Sequence, residues 1–135
     1  MEFNGSHIIN LTKINDPRGN LTFIEGCKHL PYDFKRVYYL YDVPAGAERG
    51  GHSHKSCYEF LVAISGSFDV TLDDGENKKT FTLNRPFMGL LITPGIWRTL
   101  ENFASGSVCL VLTSDHFDEN DYVRNYNDFI KLKNQ

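Results

Sequence analysis

The stretch GAERGGHSHKSCYEFLVAISG, which runs from Gly46 to Gly66, places a glycine-rich turn, two histidines and a carboxylate ahead of an apolar run. Residues two apart on an extended strand project from the same face, so His52 and His54 are predicted to converge on one point. Glu59 joins them only if the chain bends after His54 and continues on the next strand. Two imidazoles and one carboxylate that converge suit either a metal ion or acid–base chemistry.

The sequence around this stretch predicts short β-strands joined by tight turns. Residues 67–73 alternate apolar and polar side chains, and Asp74-Gly75 then turns the chain into residues 79–83, which predicts a hairpin. Further strands are predicted at residues 37–43, 88–93 and 108–113. Because no helix separates these strands, the pattern favours an all-β antiparallel sandwich or barrel over a parallel α/β sheet.

Only the C-terminal segment has a helical pattern. Asp118 is a suitable N-cap, and the apolar residues after it recur at a spacing of three to four: Tyr122, Tyr126, Phe129 and Ile130. We therefore predict a short C-terminal helix packed on the barrel. Residues 1–6 are interpreted as a flexible tail or an added segment.

Length and composition limit the number of domains and the class of partner. A chain of 135 residues, 41% hydrophobic and 23% charged, predicts one globular domain over residues 1–135. The net charge is -3, from 14 Lys and Arg against 17 Asp and Glu, so no overall positive field attracts nucleic acid.

Apolar runs and cysteines indicate the compartment. The longest apolar runs fall far short of the roughly 20 residues that cross a bilayer, so no membrane association and a cytoplasmic location are expected. Three widely spaced cysteines, Cys27, Cys57 and Cys109, include no CxxC pair and suggest neither a disulfide framework nor a thiolate zinc site.

The histidine stretch resembles the first motif of the cupin superfamily, from Gly46 through His52, His54 and Glu59 to Gly66. The segment that starts at Pro94-Gly95 resembles the second motif of the same superfamily. Arg98 stands there at the position where the fourth metal ligand, a histidine, is expected. The resemblance implies a small cupin, an antiparallel β-barrel or jelly roll. A permanently charged guanidinium does not coordinate a cation, so we predict no metal and no other cofactor.

A narrower resemblance covers nearly the whole chain. Segments similar to the nucleotide-sugar 3,4-ketoisomerases include Asp16-Pro-Arg-Gly-Asn-Leu21, Lys35-Arg-Val-Tyr-Tyr39, Arg49-Gly-Gly-His-Ser-His-Lys55 and Asp121-Tyr-Val-Arg-Asn-Tyr126. This resemblance implies a metal-independent isomerase of dTDP-4-keto-6-deoxyglucose, which moves the ketone from C4 to C3 for the synthesis of deoxyaminosugars of surface glycans.

The implied reaction assigns roles to named residues. A same-face histidine pair can remove the C3 proton and relay a proton between the two oxygens, so His52 and His54 are predicted to be catalytic. The resemblance also implies a tyrosine that steadies the oxyanion, at Tyr38 or Tyr39. Neighbours on a strand face opposite ways, and we favour Tyr39. Glu59 is interpreted either as a catalytic group or as a partner that orients a histidine.

The substrate's diphosphate requires cations or backbone N–H groups. Arg18, Arg49 and Lys55 flank the matching segments, with Arg18 as the first choice, and Glu59 and Arg98 complete the predicted binding set. For Arg98, a surface ion pair is the alternative interpretation.

Two other functions stay open at this stage. A metal-dependent cupin oxygenase is suggested by the set of two histidines and one carboxylate, although Arg98 weakens it. A non-catalytic sugar-binding cupin is equally compatible with the fold.

The expected assembly is a homodimer that exchanges its N-terminal strands, as the resemblance implies. Residues 8–14 and 20–25 are apolar enough to pair with a neighbour, and such an exchange closes open sheet edges. It would carry Arg18 toward the partner's pocket, so removing the residues before Asn20 is expected to abolish activity.

Overall fold

Thirteen strands, a 3-10 turn and one α-helix form the described part of the chain, residues 2–135, in a computed structural model. The strands are β1 (Glu2–Phe3), β2 (Ser6–Asn10), β3 (Lys13–Ile14), β4 (Leu21–Thr22), β5 (Arg36–Leu40), β6 (Arg49–His54), β7 (Glu59–Ser65), β8 (Phe68–Asp73), β9 (Lys78–Leu83), β10 (Met88–Ile92), β11 (Trp97–Glu101), β12 (Val108–Thr113) and β13 (Tyr122–Val123). The 3-10 turn covers Glu119–Asp121 and the helix α1 spans Tyr126–Lys133.

The strands form two antiparallel sheets that face each other. One has six strands in the order β1-β2-β10-β7-β12-β5, and the other has five in the order β13-β6-β11-β8-β9. Strands β3 and β4 form a separate hairpin. The predicted all-β antiparallel fold with a short C-terminal helix is confirmed.

The period of two along each strand decides what fills the space between the sheets. Leu61 and Ala63 of β7, Val70 of β8 and Val111 of β12 are buried in one hydrophobic cluster. Glu59 lies two residues before Leu61, Arg98 two residues before Leu100 and Tyr38 two residues before Leu40. The same alternation that builds the core therefore carries charged and phenolic groups inward at one end of it.

The outer faces of the sheets are covered in different ways. The helix α1 packs Phe129 against Trp97 of β11, and both are buried together with Val123. The loop before β5 covers the six-stranded sheet with Leu30 and Tyr32, and the Tyr32 hydroxyl donates to the Leu112 carbonyl at 2.8 Å. No helix within residues 2–135 combines the length and apolar character needed to span a membrane.

Most predicted strand bounds agree with the structure to within three residues. The predicted helix start is wrong: Asp118 caps the 3-10 turn, and α1 begins at Tyr126 with Asn125 as its N-cap. Tyr122 and Val123 are strong β-formers and pair instead with β6. Glu2, Phe3 and Ser6 also belong to strands and not to a tail, whereas Met1 lies outside the described residues.

A bulge in β6 sets which side chains of this strand face inward. Arg98 pairs with His52 and Leu100 pairs with Arg49, so three steps along β6 match two along β11. Gly50 absorbs the extra residue at a φ of +85°, where a side chain would be strained and a Cβ would lie 3.0 Å from Leu100. The bulge shifts the alternation just before the two histidines.

Candidate active site

Three elements bring the predicted cluster together. His52 and His54 are on β6, Glu59 opens β7 after the intervening turn, and Arg98 lies directly opposite His52 on β11. All four residues are buried, with His54, Glu59 and Arg98 each 1% exposed. The bend that Glu59 needs in order to join the histidines is therefore present, and the structure joins His52, His54, Glu59 and Arg98 as one cluster.

Glu59 is the centre of this cluster. Its Oε1 accepts a hydrogen bond from Nη1 of Arg98 at 2.6 Å, and its Oε2 accepts one from the Tyr38 hydroxyl at 2.8 Å. Burial alone would raise the pKa of Glu59, but the two histidine rings and the Arg98 charge hold it well below its usual value. Glu59 is therefore a carboxylate, and Arg98 is its buried counter-ion and not part of a surface ion pair.

The two histidines turn the same nitrogen toward Glu59. Nε2 of His52 lies 3.7 Å from Oε1, and Nε2 of His54 lies 3.5 Å from Oε2. Both distances exceed a good hydrogen bond, and these two Nε2 atoms are buried without a hydrogen-bond partner among residues 2–135. Unpaired buried polar atoms are costly, so their convergence marks a place arranged for chemistry.

A pocket of about 350 Å³ opens beside the cluster. Tyr38, His52 and Tyr122 border it, and the guanidinium groups of Arg36, Arg49 and Arg124 also line it. Arg36 donates to the Tyr122 hydroxyl at 3.3 Å, and Arg124 lies over the Tyr122 ring at 4.0 Å. A cationic rim above a histidine and two tyrosines suits an anionic substrate with a polar reacting end.

Three of the predicted site residues lie outside this cluster and pocket: Tyr39, Lys55 and Arg18. Tyr39 is predicted to enter the barrel, but it is 59% exposed, and its ring lies tilted against that of Tyr41. Tyr38, the alternative, faces inward because it shares the face of Leu40 on β5. Lys55 lines a separate shallow groove beside α1 and does not border the pocket.

Arg18 also lies outside the pocket of its own chain. Its side chain is 90% exposed at the turn between β3 and β4, where it pairs with Asp16 at 2.9 Å. Of the predicted phosphate-binding residues, only Arg49 lines the pocket.

Four residues at the site were not among the predicted site residues: Arg36, Asp121, Tyr122 and Arg124. Asp121 accepts a hydrogen bond from Nδ1 of His54 at 2.9 Å, and the Tyr122 ring packs on both histidines. The segment containing Asp121, Tyr122 and Arg124 was misinterpreted as the first turns of the helix. The β-forming pair Tyr122-Val123 was the signal for a strand there.

The cluster does not fit a metal ion. One ligand atom from each of His52, His54 and Glu59 lies within 4.8 Å of the others, which is close enough for a shared cation. However, Nη1 of Arg98 already occupies one oxygen of Glu59 at 2.6 Å. A divalent cation would therefore sit against a permanent positive charge, which favours an acid–base role for the histidines.

Burial should make stability depend on the titration of His52. Desolvation lowers the pKa of His52 to about 4, from 6.5, although Glu59 partly opposes this shift. As pH falls from 6.5 to 4, the His52 ring is protonated in the unfolded chain but stays neutral in the folded chain. Over this range, His52 therefore lowers the unfolding free energy by on the order of 3 kcal/mol.

We expect His52→Asn to reduce this pH dependence, because asparagine does not titrate. Urea unfolding at pH 7, 6 and 5 measures it for both proteins. A wild-type slope no steeper than that of the variant would contradict a buried neutral His52.

Comparison with known proteins places this geometry among sugar-nucleotide enzymes. The family described as "FdtA: WxcM-like, C-terminal" matches residues 4–134. A TDP-4-oxo-6-deoxy-alpha-D-glucose-3,4-oxoisomerase from Aneurinibacillus thermoaerophilus is 44% identical over 124 residues, 92% of this chain and 89% of the relative.

Solved structures agree with this similarity. A 3,4-ketoisomerase from Helicobacter canadensis has a TM-score of 0.94 and 41% identity, over 96% of this chain and 98% of its own. A variant of the 3,4-ketoisomerase QdtA from Thermoanaerobacterium thermosaccharolyticum, in complex with TDP-4-keto-6-deoxyglucose, has a TM-score of 0.95 and 39% identity, over 98% of this chain and 96% of its own.

Proposed function

The chain belongs to the FdtA family of WxcM-like proteins, and from that membership and its site we propose that it is a TDP-sugar 3,4-ketoisomerase. The proposed substrate is TDP-4-keto-6-deoxyglucose and the product is a TDP-3-keto-6-deoxyhexose. The observation that carries the proposal is His52, which borders the cationic pocket while its Nε2 is turned inward against the Glu59 carboxylate.

The reaction needs one base and no redox partner. Removal of the C3 proton from the 4-keto sugar forms an enediolate, with its double bond between C3 and C4 and its charge on O4. A proton then reaches C4, while the proton lost by the O3 hydroxyl is passed to O4, so the ketone appears at C3 and a hydroxyl at C4. Atoms and electrons balance within the sugar, and the protein supplies only positioned proton acceptors and donors.

His52 has the properties that the base requires. The lowered pKa of His52 keeps its ring neutral near pH 7. With Nε2 directed at Glu59, the proton of the neutral ring belongs on Nε2, and Nδ1 is left with a lone pair for the substrate. Glu59 thus orients His52, which is the second of the two roles considered for it from the sequence.

Tyr38 takes the role first given to Tyr39. It borders the pocket, and its hydroxyl is held by Glu59. Burial, followed by the nearby Glu59 charge, raises the pKa of Tyr38, so its phenol stays protonated. To donate to a developing enediolate oxygen, this neutral phenol turns its single O–H proton from Glu59 to the substrate.

The diphosphate is proposed to bind at the cationic rim. Arg49, Arg36 and Arg124 line the pocket, and planar guanidinium groups bind phosphate oxygens through paired N–H donors. The free thiols of Cys27, Cys57 and Cys109 fit a reducing compartment, and we include a cytoplasmic location in this proposal.

We also propose that the enzyme is a homodimer with exchanged N-terminal strands and that Arg18 serves the partner's pocket. The edge strand β5 exposes Val37 and Tyr39, and the β3–β4 hairpin exposes Ile14 and Leu21. Within one chain β2 pairs with β10, and an exchange would make the same pairing between subunits. Such exposed apolar groups and an open edge support association with a second copy.

Mixing two inactive variants tests this assembly. We expect His52→Asn and Arg18→Ala to be impaired alone, and a hybrid dimer of the two to regain turnover. One of its sites then combines an intact His52 with Arg18 from the other subunit. An active monomer in sedimentation, or hybrids no better than the parents, would refute the shared site. Arg85→Ala, at an exposed turn away from the pocket, is the control.

Metal-dependent oxygenation is the alternative that the spacing of the three ligand atoms allows, although the Arg98 charge on Glu59 opposes a cation there. We expect exhaustive chelation to leave isomerase turnover within about twofold of the untreated enzyme, because Arg98 already neutralises Glu59. Loss of turnover that a divalent metal restores would give Glu59 a ligand role and favour a metal-dependent reaction.

Direct turnover tests the proposed function. The purified protein is incubated with TDP-4-keto-6-deoxyglucose, and the product is trapped by a 3-aminotransferase that acts only on the 3-keto sugar. Formation of the 3-amino sugar nucleotide is expected. Binding of the substrate without any trapped product would instead favour the non-catalytic sugar-binding cupin.

A further inference from the structure

Asp121 closes the far side of the histidine cluster, away from the pocket. It ends the 3-10 turn, and four donors converge on its carboxylate. Its Oδ1 accepts from the backbone N–H of Ser56 at 2.7 Å and from the Ser56 hydroxyl at 2.9 Å. Its Oδ2 accepts from Nδ1 of His54 at 2.9 Å and from the backbone N–H of Cys57 at 3.3 Å.

This contact decides which nitrogen of His54 carries a proton. An ionised carboxylate only accepts hydrogen bonds, so a ring nitrogen 2.9 Å away must present its N–H. Asp121 stays ionised: burial would raise its pKa, but the Ser56 donors and the His54 ring bring it below its usual value. Nδ1 of His54 therefore keeps its proton, and only Nε2 is free to gain or lose one.

We propose that Asp121 is a positioning residue for isomerisation, which holds the proton on Nδ1 of His54 so that proton exchange occurs at Nε2. That atom is buried without a hydrogen-bond partner and lies 3.5 Å from Oε2 of Glu59, the oxygen that also binds Tyr38. This inference rests on the proposed function, and it extends the active site from the pocket through Glu59 and His54 to Asp121.

A purely structural role for Asp121 is the competing explanation. Its bonds to Ser56 and Cys57 fasten the turn between β6 and β7, and its carbonyl accepts from the Lys55 backbone at 3.0 Å. The Asp121→Asn variant separates the two roles. With its amide oxygen on both Ser56 donors, its amide nitrogen faces Nδ1 of His54 and donates to it, and only the longer 3.3 Å bond from the Cys57 backbone N–H is lost. The ring proton is then forced onto Nε2.

Imidazole nitrogen chemical shifts of labelled protein give the first measurement, because they report the protonated nitrogen without any turnover. The His54 signals are assigned by their loss in His54→Asn. We expect Nδ1 to be protonated in the wild-type enzyme and Nε2 in Asp121→Asn. A wild-type His54 with an unprotonated Nδ1 would overturn the inference, even if the enzyme isomerises its substrate.

Kinetics give the second measurement. Asp121→Asn is expected to lower kcat roughly 10- to 100-fold with KM within about threefold, as for other groups that fix a histidine tautomer. Ser56→Ala is the matched control, since it loosens the same turn without contact to His54, and we expect it to lower Tm while kcat stays within about twofold.

Two results would overturn the positioning role. One is a kcat for Asp121→Asn that is near the wild-type value. The other is a loss of kcat in Ser56→Ala equal to that in Asp121→Asn, since Asp121 would then act only by fastening the turn. If Asp121→Asn does not fold, the nitrogen chemical shifts of His54 in the wild-type enzyme are the test, and an unprotonated Nδ1 overturns the inference.

Discussion

Replacing His52 by asparagine is expected to lower kcat by at least ~100-fold, the lower range for loss of a general base, while the fold survives. His52 borders the pocket, and its ring is oriented by Glu59. Asparagine retains a polar group near Glu59, but it has no lone pair basic enough to remove a carbon-bound proton. The loss should therefore appear in kcat more than in KM.

His54→Asn is expected to cause a loss of the same order by a different route. His54 is 1% exposed and does not border the pocket, so it acts behind His52 through Glu59. Turnover is measured with the aminotransferase trap, and circular dichroism confirms the fold. His116→Asn, at an exposed loop, is the control and should keep wild-type kcat. Near-normal kcat in both site variants would refute the acid–base assignment.

Most of the longer strands were predictable because alternating or continuous apolar runs between turn residues mark them. β12 spans 108–113 as predicted, and β8 differs from the prediction by one residue. The convergence of His52 and His54 also followed from their spacing of two on a strand, whereas that of Glu59 depended on a bend after His54, which the spacing allowed but did not require.

Two features could not be predicted from the local sequence: which tyrosine of β5 faces the core, and whether the chain after Asp118 forms a helix or a strand. Tyr38 and Tyr39 have the same intrinsic preference, and only the pairing of β5 with β12 decides which one faces the core. Likewise, Tyr122 fits a helical period and a strand equally well. Its pairing with His54 across β6 and its packing on the histidine rings select the strand, and these contacts are distant in sequence.

The buried state of Arg98 follows from its position on β11 and not from its residue type. A surface ion pair is the usual state of an arginine, yet its place two residues before Leu100 puts it between the sheets. There it donates from Nη1 to Glu59 and from Nη2 to the Ile96 carbonyl at 3.2 Å. Arg98 thus helps to keep the buried Glu59 ionised, and the Glu59 carboxylate in turn orients His52.

Replacing Arg98 by methionine is expected to lower the free energy of unfolding by roughly 3–5 kcal/mol, the usual cost of removing one partner from a buried ion pair. Methionine fills much of the same volume, so the main loss is electrostatic. Glu59 would lose its shortest hydrogen bond and keep the Tyr38 hydroxyl as a donor. The pKa of Glu59 should rise because, of the groups that oppose burial, only the two histidine rings would then remain.

Arg124→Met is the matched control for this effect, because Arg124 pairs with Glu119 in an exposed ion pair at 2.8 Å. Surface pairs contribute about 0–1 kcal/mol, so this variant should unfold close to the wild type in urea. The double variant Arg98→Met with Glu59→Met removes both charges and is expected to regain most of the stability lost in Arg98→Met. If Arg98→Met were as stable as Arg124→Met, the contact between Arg98 and Glu59 would not be what holds this end of the core together.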